Sequence, residues 1–450
     1  MFYCINSRFI ALTFHLFLRY INEKQSKGGF IMNRIEKGFK LACEIYNEHG
    51  VDAVKAIEKL KNIPISIHAW QGDDVVGFEN FETALTGGCQ VTGNYPGRAR
   101  NSEELRQDLD VAMKLIPGTK RVCLQGHEVD CMLPGVDRDA FTIENFSGWL
   151  GWAKEKKIGM DIAPAFYSHP KLDHGLSLSH PDPEIRKFWI NHGKSIRRIG
   201  AEFGKELGTP AVCNFWAPDG FKDIPADRFT PRKRLSDSLD EIFAEKIDEK
   251  YLIDAVESKL FGIGVESCTI GSNDFYLMYA ARNNKMICFD SGHFHPTESI
   301  ADKISAVMTQ QGRILLHVSR GVRWDSDHVI LLNDELLSIA REAAVYGYLD
   351  KISICLDYFD ASINRIAAWV AGTRNMQKAL LIALLEPMSL ACEEENKWNF
   401  SARLARLEEI KTLPWGLVWN YYCEQQGLPD DYSFMREVEI YEQNVLFKRG

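Results

Sequence analysis

From residue 63 onward, short apolar and β-branched runs alternate with longer stretches of helical periodicity, eight times in succession. The strand-like runs are Ile63–Trp70, Arg121–Glu128, Gly159–Phe166, Thr209–Trp216, Ile253–Glu257, Lys285–Asp290, Arg313–Val318 and Lys351–Asp357. Helical periodicity marks Ser102–Ile116, Ile143–Lys157, Pro183–Leu207, Pro231–Lys246, Ser272–Asn284, Glu298–Gln311, Asp334–Tyr348 and Ser362–Leu385. Three of these helices open on legible starts: Ser102-Glu103-Glu104, Asp182-Pro183-Glu184 with proline in the first turn, and Asp360-Ala361-Ser362. Eight strand-then-helix units imply parallel βαβ connections closing into a (β/α)8 TIM barrel, an α/β fold. An open doubly wound sheet competes, but it usually has fewer strands and a glycine-rich phosphate turn after the first. Here Trp70 is followed by Gln71-Gly72-Asp73-Asp74, which is no such turn. Gly262–Gly271 (GIGVESCTIG) superficially resembles a dinucleotide loop, yet it does not open a helix in the required register.

A barrel can exceed about 250 residues as one unit, so this length demands no second large domain. The expected organisation is N-terminal helices over 32–62, a catalytic barrel over 63–387 and a helical extension over 388–450. The extension carries Trp415, Trp419, Tyr421 and Tyr422, which suit packing on the barrel or on another subunit. The connection from Gln71 to Asn101 is far longer than usual and rich in Gly, Thr and Asn, as expected of a lid or substrate contact at a barrel mouth. Residues 1–31 stand apart. Phe2–Tyr20 is apolar and aromatic but interrupted by Asn6, Arg8, His15 and Arg19, so it makes a poor membrane anchor or signal. Lys27-Gly28-Gly29 before Met32 is what a purine-rich ribosome-binding site encodes when translated in frame. The expectation is a translated leader ahead of a natural start at Met32.

Composition narrows the function classes. With 45% hydrophobic and 26% charged residues, the chain has material for a large core, which excludes disordered, collagen-like and coiled-coil classes. Its 53 basic and 62 acidic residues give a net charge of −9 without a long single-sign run, so the clustered cations that nucleic acid requires are missing. The 11 cysteines are scattered singly with no C-x-x-C pair, which argues against a disulfide framework or a thiolate zinc site and for the cytoplasm.

The strand ends carry chemistry. Glu257 ends the fifth strand, Asp290 and His293 follow the sixth, His317 lies near the end of the seventh, Asp325 and Asp327 occupy the next loop, and Asp357 ends the eighth. All map to the C-terminal mouth, where barrel enzymes place catalytic groups. Five carboxylates converging in one cleft repel one another and would be forced to take up protons. Divalent cations remove that conflict, and oxygen with imidazole donors suits Mn²⁺, Mg²⁺, Co²⁺ or Zn²⁺, with enough ligands for two ions sharing one carboxylate. A single Asp at a strand end is ordinarily a helix cap and a single His an ordinary core side chain; seven such residues at four consecutive strand ends are not. Lys259, two residues beyond Glu257, suits hydrogen bonding to a substrate oxygen, or else a surface ion pair. Trp70 and Trp216 end the first and fourth strands, as walls for the apolar face of a sugar or as barrel packing.

Several long segments are together similar to L-rhamnose isomerase: Trp70–Asp74 (WQGDD), Gly93–Gly97 (GNYPG), Trp216–Gly220 (WAPDG), Val256–Gly262 (VESKLFG), Asp290–Glu298 (DSGHFHPTE), His317–Arg320 (HVSR), Val322–His328 (VRWDSDH) and Asp357–Arg365 (DYFDASINR). The resemblance runs from about Asn33 to Gly450. It implies a metal-dependent aldose–ketose isomerase related to xylose isomerase, converting L-rhamnose to L-rhamnulose as the first step of L-rhamnose catabolism and assembling as a homotetramer. It further implies two divalent ions per subunit, Mn²⁺ foremost, with Co²⁺, Zn²⁺ or Mg²⁺ as alternatives. On it, Glu257, Asp290, His317 and Asp357 are structural-metal ligands; His293, Asp325 and Asp327 hold the catalytic metal, with Asp290 bridging. Asp327 and Lys259 are the catalytic residues, Lys259 lying beside the substrate carbonyl, and Trp216 forms the aromatic wall. The chain departs from the family's Asn-Leu-His-Ala after the second strand, reading Cys123-Leu124-Gln125-Gly126-His127, so the sugar-contacting histidine is either replaced by Gln125 or displaced to His127.

Two other classes compete. A metal-dependent phosphodiesterase on the same barrel would need a basic rim for phosphates, which this acidic chain hardly offers. A non-catalytic sugar-binding protein would have no need of seven metal ligands. L-lyxose and L-mannose stand beside L-rhamnose as substrates, because the long first loop shapes the pocket.

Overall fold

The computed structural model describes residues 34–79, 86–89 and 91–449. The expected leader over 1–31 lies outside them. The chain forms two compact units: Met1–Glu58, described from residue 34, with Leu385–Asp431; and Lys59–Leu384 with Tyr432–Gly450.

Ten strands follow one another in the larger unit: β1 (Ile65–His68), β2 (Lys120–Gln125), β3 (Gly159–Ala163), β4 (Ala211–Trp216), β5 (Gly220–Phe221), β6 (Leu252–Glu257), β7 (Cys268–Thr269), β8 (Met286–Asp290), β9 (Ile314–Val318) and β10 (Ile352–Leu356). Eight of them close a parallel barrel in the order β1-β2-β3-β4-β6-β8-β9-β10, with β10 pairing back onto β1. After the helices α1 (34–48) and α2 (Ala53–Lys61), each barrel strand is followed by its own helix. These are α3 (Ser102–Lys114), α4 (Ser147–Lys156), α5 (Pro183–Leu207), α6 (Phe229–Ile242), α7 (Asn273–Asn283), α8 (Ile300–Gln311), α9 (Asp334–Val345) and α10 (Arg365–Leu385). The expected (β/α)8 barrel is therefore the observed architecture. No helix of the described residues is long and apolar enough to cross a membrane.

Strands β4, β6, β8 and β9 end where their apolar runs end, whereas β1, β2, β3 and β10 stop short of theirs, and past His68 the first run turns into a 3-10 turn over Ala69–Gln71. The expected helix Ile143–Lys157 is broken: Thr142 caps a 3-10 turn over Ile143–Phe146, and α4 starts only at Ser147. Asn101, not Ser102, caps α3, its side chain accepting from Glu104 N. Asp182 does cap α5, with Pro183 at its start. Asp360 spends its carboxylate on Ser362 N and Oγ at 2.8 and 2.5 Å, so α10 begins three residues later than expected. The short antiparallel pair β5–β7 uses part of Gly262–Gly271, which folds back on Asp219–Phe221 and makes no phosphate turn.

Period-two alternation sends Cys123, Ala255, Met286, Cys288, Leu315 and Cys355 into one buried cluster inside the barrel. The tail beyond α10 does not behave as one extension. Helices α11 (Met388–Asn396), α12 (Phe400–Ile410) and α13 (Trp415–Glu424) belong to the smaller unit, where Tyr421 stacks on Phe39 with ring centroids 3.9 Å apart and Trp419 and Tyr422 are buried. Helix α14 (Met435–Asn444) and the last residues belong to the barrel unit: Arg449 grips Asp108 of α3 at 2.6 and 2.8 Å, and Glu442 accepts from Tyr95 Oη at 2.6 Å.

Candidate metal centre

Strand register builds the site. Pairing of β4 with β6 sets Trp216 beside Glu257, and pairing of β8 with β9 sets Asp290 beside His317. Asp357 continues the ladder, its N–H donating to Val318 O at 3.0 Å. The Asp325–Asp327 loop is pinned by reciprocal backbone bonds between Arg320 and His328 at 3.0 and 3.1 Å, and Asp327 O accepts from Phe359 N at 3.0 Å. Asp327 adopts a left-handed backbone, φ 45°, which aspartate tolerates better than most residues and which only the surrounding contacts can hold.

These elements bring Glu257, Asp290, His293, His317, Asp327 and Asp357 together. His317 Nδ1 lies 3.0 Å from Asp357 Oδ2 and 3.1 Å from Glu257 Oε2, and His293 Nδ1 is 3.0 Å from Glu257 Oε1. The ligand atoms of Glu257, Asp290, His317 and Asp357 all lie within 4.8 Å of one another, as do those of Asp290, His293 and Asp327. The two groups share Asp290. Asp325 does not join the second group: its Oδ2 is held by Lys259 Nζ at 2.6 Å, both side chains being about 3% exposed. Lys259 is thus a buried partner of the carboxylates, not a surface ion pair.

Electrostatics make the cluster a cation site. Burial alone would raise Glu257, but His317 and His293 outweigh it and hold the carboxyl well below its ordinary range. Burial would lower His293, yet Asp290, Asp325 and Glu257 push the imidazole up to about 10. Asp327 is driven well above the usual carboxylate range by burial and then by Asp325 and Asp357. Five carboxylates around one ammonium and two imidazoles leave an excess of negative charge that positive charge must offset. Asp290 Oδ2 and Asp325 Oδ1 are buried and receive no hydrogen bond from the described residues. Carboxylate oxygens left bare beside imidazole nitrogens are the donor set that divalent cations such as Mn²⁺, Mg²⁺, Co²⁺ or Zn²⁺ take, so the residues fit two ions.

Glu257, His293, His317, Asp327 and Asp357 of the cluster line a cleft that holds about 500 Å³ of empty space, part of it open to solvent. Trp70 and Trp216 both line it, and Trp70 has a second task, its Nε1 donating to Asp357 Oδ1 at 2.9 Å. Lys259 Nζ lies 5.2 Å from the Trp216 ring centroid. Gln125 lines the cavity; His127 does not. The chain turns after Gln125 and places His127 outside the cavity lining, buried edge-on against Tyr167 at 5.5 Å. The long first connection supplies Val75, Gly88 and Cys89 to the lining, and Thr86 is tied to Ser168 by reciprocal bonds of 3.0 and 2.7 Å, in keeping with its expected role over the cavity. Sequence reasoning missed Asn214, whose Nδ2 donates to Glu257 Oε2, although its position two residues before Trp216 on the inward face of β4 marked it. It also missed Tyr167 and Phe359, apolar in context and indistinguishable from core.

Residues 33–449 match the family model described as L-rhamnose isomerase (RhaA). A relative from Cronobacter sakazakii named L-rhamnose isomerase is 54% identical over 415 residues, 92% of this chain and 99% of the relative. One of the same name from Salmonella typhimurium is 53% identical over 417 residues, 93% of this chain and 99% of the relative. A solved structure of L-ribulose 3-epimerase aligns with a TM-score of 0.45 at 12% identity, covering 71% of this chain and 95% of that one.

Proposed function

The chain belongs to the L-rhamnose isomerase family, and from that premise we propose that it interconverts L-rhamnose and L-rhamnulose at the carboxylate–imidazole cluster of its barrel mouth. The observation that carries the reading is the pair of ligand groups sharing Asp290, with Glu257, His293, His317, Asp327 and Asp357 of those groups lining one cleft at the barrel mouth. Glu257, Asp290, His317 and Asp357 would hold one ion, and Asp290, His293 and Asp327 the other, with Asp325 at their edge. Bound there, divalent cations supply Lewis acidity that spreads the negative charge building on the C1 and C2 oxygens.

The chain's own side chains do the rest. Lys259, held by Asp325, donates a hydrogen bond to the carbonyl oxygen of the open-chain sugar. Trp216 and Trp70 wall the apolar face, and Trp70 keeps Asp357 oriented. Asn214 does the same for Glu257. Gln125, rather than His127, faces the sugar. Hydrogen passes from C2 to C1 with its electron pair while the O2 proton moves to O1, which converts aldose to ketose without loss of atoms. An enediol route is the alternative, and turnover in deuterated water separates them. Little solvent deuterium at C1 of the product is expected; extensive incorporation would contradict direct transfer.

Mn²⁺ is the proposed ion, the homotetramer the proposed assembly and the cytoplasm the proposed compartment, each resting on family membership. Ketose formation from a panel of aldoses that includes L-rhamnose, L-lyxose and L-mannose, with Mn²⁺ and again with chelator, tests the function. Metal-dependent activity highest on L-rhamnose is expected; full activity in chelator would remove the metal from the reaction.

A further inference from the structure

Tyr167 follows β3 at the barrel mouth and lines the cavity. It is 1% exposed, and its hydroxyl has no hydrogen-bond partner among the described residues. A hydroxyl buried and unpaired is unfavourable, and native structures leave few such groups, so one that lines a cavity calls for a partner there. The ring has little freedom, being edge-on to Trp216 at 5.6 Å and to His127 at 5.5 Å. Two further polar atoms from the same lining are also buried and without a partner among the described residues, Trp216 Nε1 and Asn214 Oδ1. Together they offer a donor, an acceptor and a hydroxyl able to act as either, a set suited to a polyol.

Topology says which part of a sugar they meet. In the ring β1-β2-β3-β4-β6-β8-β9-β10, β3 stands four places from β9, directly across the barrel. The proposed metal ligands come from β6, β8, β9 and β10, so a sugar whose C1 and C2 oxygens lie among them extends its remaining carbons toward β3.

We propose that the Tyr167 hydroxyl binds substrate, pairing with a hydroxyl of the open-chain sugar beyond C3, and that it helps set which aldoses the site accepts. This rests on the isomerase reading. The test compares the wild type with Tyr167→Phe on L-rhamnose and on its 4-deoxy and 5-deoxy analogues, with Mn²⁺ present. On L-rhamnose the variant should lose roughly tenfold in kcat/KM, mainly through KM, because the pairing is made in ground and transition states alike. On the analogue lacking the paired hydroxyl, variant and wild type should agree within about twofold. No penalty on L-rhamnose, or the same penalty on all three sugars, would overturn the proposal. Should the variant fail to fold, the wild type still decides: it must prefer L-rhamnose by roughly tenfold over at least one analogue, and indifference to both overturns the assignment. A wild type that makes no ketose from L-rhamnose sinks the isomerase reading itself, whereas an active wild type with an indifferent Tyr167 sinks only this inference.

Discussion

Asp290 accepts from Gly292 N at 2.6 Å and Ser319 Oγ at 2.8 Å on one oxygen, and nothing donates to the other. That division leaves one oxygen bare among the described residues. Asp327 sits under the opposite stress, buried beside Asp325 and Asp357, and its charge is costly until a cation offsets it. Asp327→Asn should therefore nearly abolish turnover while leaving the metal-free melting temperature equal to the wild type's or higher, since a like charge has been removed. Thermal melts and initial rates check this; full activity with metal bound would take Asp327 out of the reaction. Trp70→Phe removes the N–H that orients Asp357. It should weaken metal binding roughly tenfold with the fold intact, as loss of an outer hydrogen bond to a ligand typically does, and titration calorimetry would read the change. The candidate ligands were legible because Asp, Glu and His at strand ends are conspicuous there. Tyr167 was not, because an aromatic residue following a strand reads as core until the partner of its hydroxyl is sought.

Helix α5 is fastened to the end of β3 by His192, whose Nε2 accepts from Ala165 N at 3.0 Å and whose Nδ1 donates to Arg138 O at 3.0 Å. Burial first, and then the Arg138 charge, hold this imidazole well below its ordinary pKa. The unfolded chain takes up that proton near pH 6.5 and the folded chain refuses it, so the stability it confers is full above about pH 6.5 and is lost as pH falls. His192→Gln keeps a neutral donor and acceptor and should flatten the decline between about pH 6.5 and pH 4 by up to about one proton, measured by urea unfolding across that window. An unchanged slope would place the acid sensitivity elsewhere. Element boundaries departed from the sequence pattern wherever a side chain found a nearer backbone partner: Asp360 and Thr142 each closed a short turn that periodicity had counted as helix.

The barrel unit is closed by its own C-terminus, through Arg449 on Asp108. Arg449→Ala removes the cation from a carboxylate that is only 2% exposed and leaves it the Tyr441 Oη bond of 2.8 Å, and should cost about 3 kcal/mol, seen as a melting temperature lower by several degrees. Cations that bind the folded chain alone must also stabilise it: at a hundredfold excess over Kd, Mn²⁺ should add about 2.7 kcal/mol, which chelator reverses. A melting temperature indifferent to both would argue against a metal centre built into the fold. By itself the sequence determined the barrel, because an eightfold strand–helix alternation has few ways to bury its apolar faces, and it determined the types of the candidate metal ligands, because residues at and just past successive strand ends converge on one mouth. Tertiary structure alone decided the remainder. It set Gln125 rather than His127 on the cavity, gave Asp325 to Lys259, turned Trp70 into a support for Asp357, and divided the C-terminal extension between two units. Each of these depends on where a side chain points and on which distant group reaches it first, which spacing along a chain does not encode.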